Sequence, residues 1–203
     1  MSSHYGRGGS AAAGKKEDFD LEAHKLFKKL NIDISNARGS GYDNLNAIYV
    51  NPQTGHKVYC GNINAAQTLS ILQEHGITHV VNCQEAGSKN FHENNRAANI
   101  TYFRFPIATW SNSRLCRERK FFEFFKPFFH FVDKATESGS VLIHCLAGAH
   151  RAGTSSCSYI LYKTKSNVAS AVRTAKTLRP IIDPIYSLKD LLQYLANDME
   201  KLF

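Results

Sequence analysis

One stretch of the chain holds residues whose types and spacing can do chemistry: Val141-Leu142-Ile143-His144-Cys145-Leu146-Ala147-Gly148-Ala149-His150-Arg151-Ala152-Gly153-Thr154. An apolar strand delivers Cys145 into a turn of small residues, and the far end of that turn opens a helix at about Arg151. Backbone N–H groups in such a turn converge with the positive end of the helix dipole, which makes an anion cradle. That field favours the thiolate, the nucleophilic form of cysteine. Arg151, six residues after Cys145, stands on the first helical turn, where a planar guanidinium grips two equatorial oxygens of a phosphoryl group. The implied reaction is phosphoryl transfer to sulfur. A bare C-x5-R pattern recurs by chance, but here Gly148 marks a tight bend and strand and helix flank the turn. The plainer alternative is a buried core thiol at a strand end.

The elements that position this turn follow from periodicity. Phe19, Ala23, Phe27 and Leu30 recur at helical spacing from Glu17 to about Leu30, predicting an amphipathic N-terminal helix packed on the domain, with the catalytic core beginning near position 47. Strands are expected at Ile48 to Val50 and Lys57 to Cys60, joined by the turn Asn51-Pro52-Gln53-Thr54-Gly55. Asn64 with Gln67 resembles a capping box opening a helix that closes at Gly76. Further strands are expected at Thr78 to Asn82, Ile100 to Pro106 and Ser140 to His144, with a phenylalanine-rich helix over Arg117 to Ala135. Three helices follow, from about Arg151, up to Pro180, and from about Ser187. Strands alternating with helices imply an α/β fold: a central, mostly parallel sheet flanked by helices, with the extra N-terminal helix within 17–46 and one domain over 17–203.

Lys+Arg 25 against Asp+Glu 17 gives a net charge of +8, which favours anionic partners and leaves nucleic acid, acidic membranes and phosphorylated substrates open. A hydrophobic content of 43% excludes a disordered chain, although residues 1–16, rich in Gly, Ser and Ala, read as a disordered tail. Within it, Gly9 to Lys16 nearly spells a nucleotide P-loop, but Lys16 offers Mg²⁺ no hydroxyl and no strand precedes it. The five cysteines lack CxxC pairs and zinc spacing, which predicts no metal and a reducing compartment, cytoplasmic or nuclear. No apolar run reaches the ~18 residues of a membrane helix, and no recognition motif or aromatic stacking platform indicates specific nucleic-acid binding.

His144-Cys145-Leu146-Ala147-Gly148-Ala149-His150-Arg151 resembles the H-C-x-x-G-x-x-R signature of cysteine-dependent protein phosphatases, and the surroundings resemble the dual-specificity branch. Tyr59-Cys60-Gly61-Asn62 with Ala65-Ala66, Gly76 to Asn82, Phe105-Pro106-Ile107, Arg179-Pro180 and Leu191-Leu192 carry the likeness over about Lys57 to Leu195. It implies Cys145 as nucleophile, Leu146, Ala147, Gly148, Ala149 and His150 as the phosphate-binding loop, Arg151 as the clamp, and no metal or organic cofactor. Phosphotyrosine, phosphothreonine and phosphoserine proteins are the implied substrates; phosphoinositides, inositol phosphates or another polyanion are the alternative, as is a pseudophosphatase-like reader.

The pattern breaks at the acid. The family places a catalytic Asp three residues after the Pro of the strand before the loop, where this chain has Thr109, and no Asp or Glu lies between Asn94 and Arg117. Candidates for the role are Glu118, in the expanded loop, and His150, at a position where myotubularin lipid phosphatases carry an Asp; imidazole titrates in the neutral range. The third alternative is that no acid exists, the enzyme is slow and phenolic leaving groups, which need less protonation, are favoured. Ala152 stands where the family usually has Ser or Thr supporting breakdown of the intermediate, with Thr154 and Ser155 one turn further along. Cys83 resembles a position where some relatives carry a cysteine that bonds reversibly to the nucleophile. Arg104, Arg114, Arg117, Arg119 and Lys120 are expected to form a cationic rim that recruits multiply charged substrates.

Overall fold

The computed structural model describes residues 17–32 and 42–202; the tail 1–16 with its P-loop-like segment lies outside the described residues. Five strands form one sheet in the order β1-β2-β5-β3-β4, where β1 is Leu45–Val50, β2 Lys57–Gly61, β3 Ile77–Asn82, β4 Thr101–Arg104 and β5 Ser140–His144. β1 pairs antiparallel with β2, and every other pairing is parallel. β5 lies at the centre and is buried along its whole length, which its uninterrupted Val141-Leu142-Ile143 predicts for a strand covered on both faces.

Alternation along β5 sends its side chains into two cores. Val141 and Ile143 join Val58, Cys60 and Val81 in the larger one, covered by α5 (Phe121–Ala135), α6 (Arg151–Thr164) and α8 (Ser187–Met199). Leu142 joins Tyr59, Val80 and Leu72 in the smaller one, under α2 (Ile63–Gln67) and α3 (Leu69–Glu74). α7 (Val168–Leu178) packs on α6. The phenylalanine stripe faces inward as its period predicts: Phe125, Phe128 and Val132 are fully buried, and Phe128 stacks on Phe105 at 4.9 Å.

Several boundaries differ from the sequence expectation for local reasons. α1 runs Phe19–Lys29, not through 17–46, and β1 has begun by Leu45. The cap of α2 is Asn62, whose side chain accepts from the Ala65 amide at 2.9 Å, while Asn64 accepts from the Gln67 side chain and donates to Asn44 at 3.1 Å. Thr68, extended at ψ 101°, splits the expected single helix in two. The expected helix from Arg117 begins instead as a short turn of helix, α4 (Arg114–Arg117). Arg119 at φ 58° then turns the chain, and the Lys120 amide closes on the Leu115 carbonyl at 2.8 Å. This is the left-handed closure that ends helices.

α1 is not a peripheral addition. Phe19 enters the larger core, and Ala23 and Phe27 pack in a third cluster with Tyr42 and two residues of the turn after β5, Ala147 and Ala149. Among the described residues no helix is long and apolar enough to cross a membrane.

Replacing Phe128 with Ala opens a cavity at the Phe105 stack and is expected to cost about 3–5 kcal/mol of unfolding free energy. Equilibrium urea denaturation measures it, and a loss under ~1 kcal/mol would show that this stripe is not the core.

Candidate active site

The turn from Cys145 to Arg151 is shaped by what its carbonyls do. The Leu146 carbonyl accepts from the Ile63 amide at 3.1 Å. The Ala147 carbonyl accepts from the Tyr42 hydroxyl at 2.8 Å and from Arg179 Nη2 at 3.2 Å. Arg179 Nε and the Cys60 thiol donate to the Gly148 carbonyl at 3.0 and 3.5 Å, and the Asp183 amide donates to the Ala149 carbonyl at 3.0 Å. All four oxygens are thus drawn outward. Among the described residues no peptide bond is cis, and in a trans peptide the following N–H points opposite to the carbonyl. The amides of Ala147, Gly148, Ala149 and His150 therefore turn inward, toward the start of α6, as an anion cradle requires.

Gly148 makes the bend possible. It sits at φ +65°, and a Cβ there would lie 2.5 Å from the Gly61 carbonyl oxygen, so neither the conformation nor the space admits another residue. Arg179 is fully buried and also donates from Nη1 to the Asp43 carbonyl at 3.0 Å and the Asn46 side chain at 2.6 Å. Its guanidinium lies over the Tyr42 ring. Burial pushes the Tyr42 phenol up to about 12, Arg179 opposing, so it remains a donor at neutral pH.

Cys145 and Arg151 are both buried. Arg151 Nη1 meets both carboxylate oxygens of Glu85 at 2.8 Å, and its Nη2 bonds to Asp20 of α1. Its Nε is buried without a partner. Burial opposes the guanidinium charge, yet Cys145, Asp20 and Glu85 together raise its pKa. Beside it, burial pushes the His144 imidazole down to about 3, so that ring is neutral.

The candidate acids fall in different places. Thr109 is exposed in a 3₁₀ segment, Ile107–Asn112, its hydroxyl donating to the Pro106 carbonyl at 2.9 Å. Glu118 is paired with Arg114 at 2.7 Å and Lys120 at 2.8 Å, and Lys120 first, then Arg114, lowers its pKa, which suits an ion pair and not a proton donor. His150 caps the start of α6; its Nδ1 donates to the Asp183 carbonyl at 2.8 Å, because a carbonyl only accepts. The cavity of about 240 Å³ that it lines is walled by Glu22, Lys25, Tyr186 and Asp183, and Cys145 is not among its walls.

Ala152 is buried in the larger core, and the Thr154 and Ser155 hydroxyls bond back to the His150 and Arg151 carbonyls; neither replaces a hydroxyl at 152. Cys83 follows Asn82, the register partner of His144, and its thiol donates to Ser155 at 3.4 Å; burial pushes that thiol up.

The cationic rim needs correction. Arg104 is spent on the turn after β3, bonding the Glu85 and Ser88 carbonyls and the Ser88 and Asn90 side chains, while Arg114 and Lys120 serve Glu118. What borders Arg151 is acidic: Glu17, Asp18, Phe19, Asp20 and Glu85 line a cavity of about 320 Å³. Asp20, Glu85, Tyr42 and the bracing role of Arg179 were not found from sequence, because each reaches the turn from a distant segment with no local motif.

The geometry coincides with comparisons to known proteins. The family model for the dual specificity phosphatase catalytic domain matches residues 58–197. Human dual specificity protein phosphatase 18 is 30% identical over 133 residues, 65% of this chain and 65% of its own. MAP kinase phosphatase with leucine-rich repeats protein 3 of Dictyostelium discoideum is 28% identical over 145 residues, 69% of this chain and 15% of its own. The chain thus spans under two thirds of either relative. The crystal structure of human DUSP28 superposes with a TM-score of 0.59 at 19% identity, covering 78% of this chain and 96% of that one, a likeness of fold.

Arg179→Ala strips a buried donor from the Ala147, Gly148 and Asp43 carbonyls and is expected to cost about 3 kcal/mol of stability. Urea denaturation reads it; Arg179→Lys should recover less than half, and a loss below ~1 kcal/mol would show that the brace is dispensable. With the family model matched from β2 through the turn and its Arg179 brace, the chain belongs to the dual specificity phosphatase family.

Proposed function

We propose that the protein hydrolyses phosphate monoesters on proteins through a cysteinyl-phosphate intermediate. The observation that carries this is the turn itself: four carbonyls tied outward around Cys145, with a buried arginine whose Nε is unpartnered. The Cys145 thiolate attacks phosphorus in line, the inward amides and Arg151 take up charge on the equatorial oxygens, and the alcohol or phenol departs. Water then attacks the thiophosphate and releases inorganic phosphate. The missing hydroxyl at Ala152 makes this second step the slow one.

Phosphotyrosine, phosphothreonine and phosphoserine proteins are the proposed substrates. The acidic residues beside Arg151 favour a single phosphoryl group over polyphosphorylated inositols or another polyanion, because like charges repel across so short a span. A second reading, a phosphate-binding module without turnover, is favoured by Thr109 and Ala152 and opposed by Cys145. Five cysteines buried as free thiols support a cytoplasmic or nuclear location.

Phosphate release by wild type and Cys145→Ser across phosphotyrosine and phosphothreonine peptides, phosphoinositide and RNA 5′-phosphate tests both readings. Turnover on the peptides, reduced at least ~10³-fold in Cys145→Ser, is expected. Micromolar peptide binding with no turnover would make the chain a reader.

We further propose Cys83 as the partner that captures oxidised Cys145. Its amide donates to the His144 carbonyl at 2.9 Å, which sets the two cysteines just past the ends of the adjacent strands β3 and β5. A Cys145 sulfenic acid condenses with the Cys83 thiol to a disulfide and water. Peptide mass spectrometry after peroxide should find that crosslink; Cys145 oxidised to sulfinic acid with Cys83 untouched would end the idea.

A further inference from the structure

Cys145 chemistry needs a proton for the leaving oxygen, and none of the residues suggested by sequence is placed to give it: Thr109 is no acid, Glu118 is held by two cations, and His150, tied through Nδ1 to Asp183, lines a cavity whose walls do not include Cys145. We propose that Asp20, delivered to the phosphate loop by α1, is the acid of the first step and the base of the second. This rests on the function proposed above and adds a residue from outside positions 58–197 that match the family model.

Four acids stand at the start of α1, and three are occupied elsewhere, Glu22 by Lys25 at 2.7 Å. Glu17 binds the Ser187 amide and hydroxyl at 3.0 and 2.6 Å. Asp18 is the helix cap, accepting from the Leu21 amide at 2.9 Å. Asp20 alone turns its carboxylate to Arg151. The helix that carries it is fixed at both ends of this span, by Phe19 in the larger core and by Ala23 and Phe27 against Ala147 and Ala149. The Ser187 hydroxyl that Glu17 holds also receives the Trp110 indole at 3.2 Å. The start of α1 is thereby bolted to the residue next to Thr109, the place where relatives carry their acid.

The fork of Arg151 explains how one residue serves both states. Glu85 uses both oxygens on Nη1 and so orients the guanidinium, while Asp20 uses one oxygen on Nη2 and Nε has no partner. A phosphoryl group seated on the turn amides takes the Nε and Nη2 edge. Asp20 loses its bond to Nη2, but α1 stays in place, so the carboxyl is left against the phosphoryl group. Cys145, Glu85, Glu17 and Asp18 are the other anionic groups around it, Arg151 the cation, and the His24 ring bonds the Asp20 backbone carbonyl.

In the first step the sulfur–phosphorus bond forms, the bond to the leaving oxygen breaks, and the Asp20 proton moves to that oxygen, releasing a neutral alcohol or phenol and leaving Asp20 as carboxylate. In the second, Asp20 takes a proton from the attacking water, the phosphorus–sulfur bond breaks, and the thiolate and inorganic phosphate are restored.

The test compares the full chain and its Asp20→Asn variant on para-nitrophenyl phosphate, whose leaving group needs no proton, and phenyl phosphate, whose leaving group does. Asp20→Asn should lower kcat/KM on phenyl phosphate ~10²-fold and on para-nitrophenyl phosphate by less than about fivefold. Because the two rates come from one preparation, a misfolded fraction cancels in their ratio. Asp20→Glu should recover part of the loss. An equal fall on both substrates, or a gain in activity, would overturn the proposal, the gain showing that Asp20 merely occupies the fork. So would finding the leaving-group dependence in Glu85→Gln or His150→Asn instead. Wild-type turnover and its loss in Cys145→Ser are measured alongside: absent turnover defeats the phosphatase reading itself, whereas normal turnover with an unchanged ratio defeats only the role of Asp20.

Discussion

The site depends on one constraint: the carbonyls of residues 146 to 149 must point away from the cavity they enclose. Left alone, a turn of small residues would present a mixture of amides and carbonyls, and the carbonyls would repel an anion. Here Ile63, Tyr42, Arg179, Cys60 and Asp183 hold all four outward. These donors belong to α2, the segment before β1, the segments on either side of Pro180 and the end of β2. The sheet and its helices therefore act on the chemistry by fixing the directions of four oxygens. Burial makes this stringent, since each carbonyl without a donor costs about 1–3 kcal/mol.

The same constraint explains why α1 is packed against the turn. Once the turn is made of Ala147 and Ala149, its outer face is apolar and must be covered. Ala23 and Phe27 cover it, and that docking carries the acidic first turn of α1 to the guanidinium of Arg151. A chain with net charge +8 thus keeps an acidic border beside Arg151. The global excess of lysine and arginine says little about the field at the site, because Arg104 is spent on the turn after β3 and Arg114 and Lys120 are paired with Glu118.

Legibility in the sequence follows the range of the interactions. The strand, turn and helix from Val141 to Thr154 could be read directly, since six contiguous turn residues carry the conformation and Gly148 has only one conformational explanation. The order of strands and helices could be read from periodicity, and the phenylalanine stripe of α5 is its plainest instance. Where local propensities compete, reading failed: Thr68 splits a helix that looked continuous, and Asn62 caps it although Asn64 has the better motif. The Asp20 to Arg151 pair spans 131 positions and the Arg179 to Asp43 bond 136. No periodicity encodes such contacts; they exist only once the fold has brought α1 and the segment after α7 onto the turn.

The most direct measurement of the central claim is rapid-quench mass spectrometry of the wild-type protein during turnover of para-nitrophenyl phosphate. With Ala152 slowing hydrolysis, one phosphoryl group is predicted on the peptide carrying Cys145, absent in Cys145→Ser. Turnover with no adduct on that peptide, or with the adduct on another residue, would contradict the account.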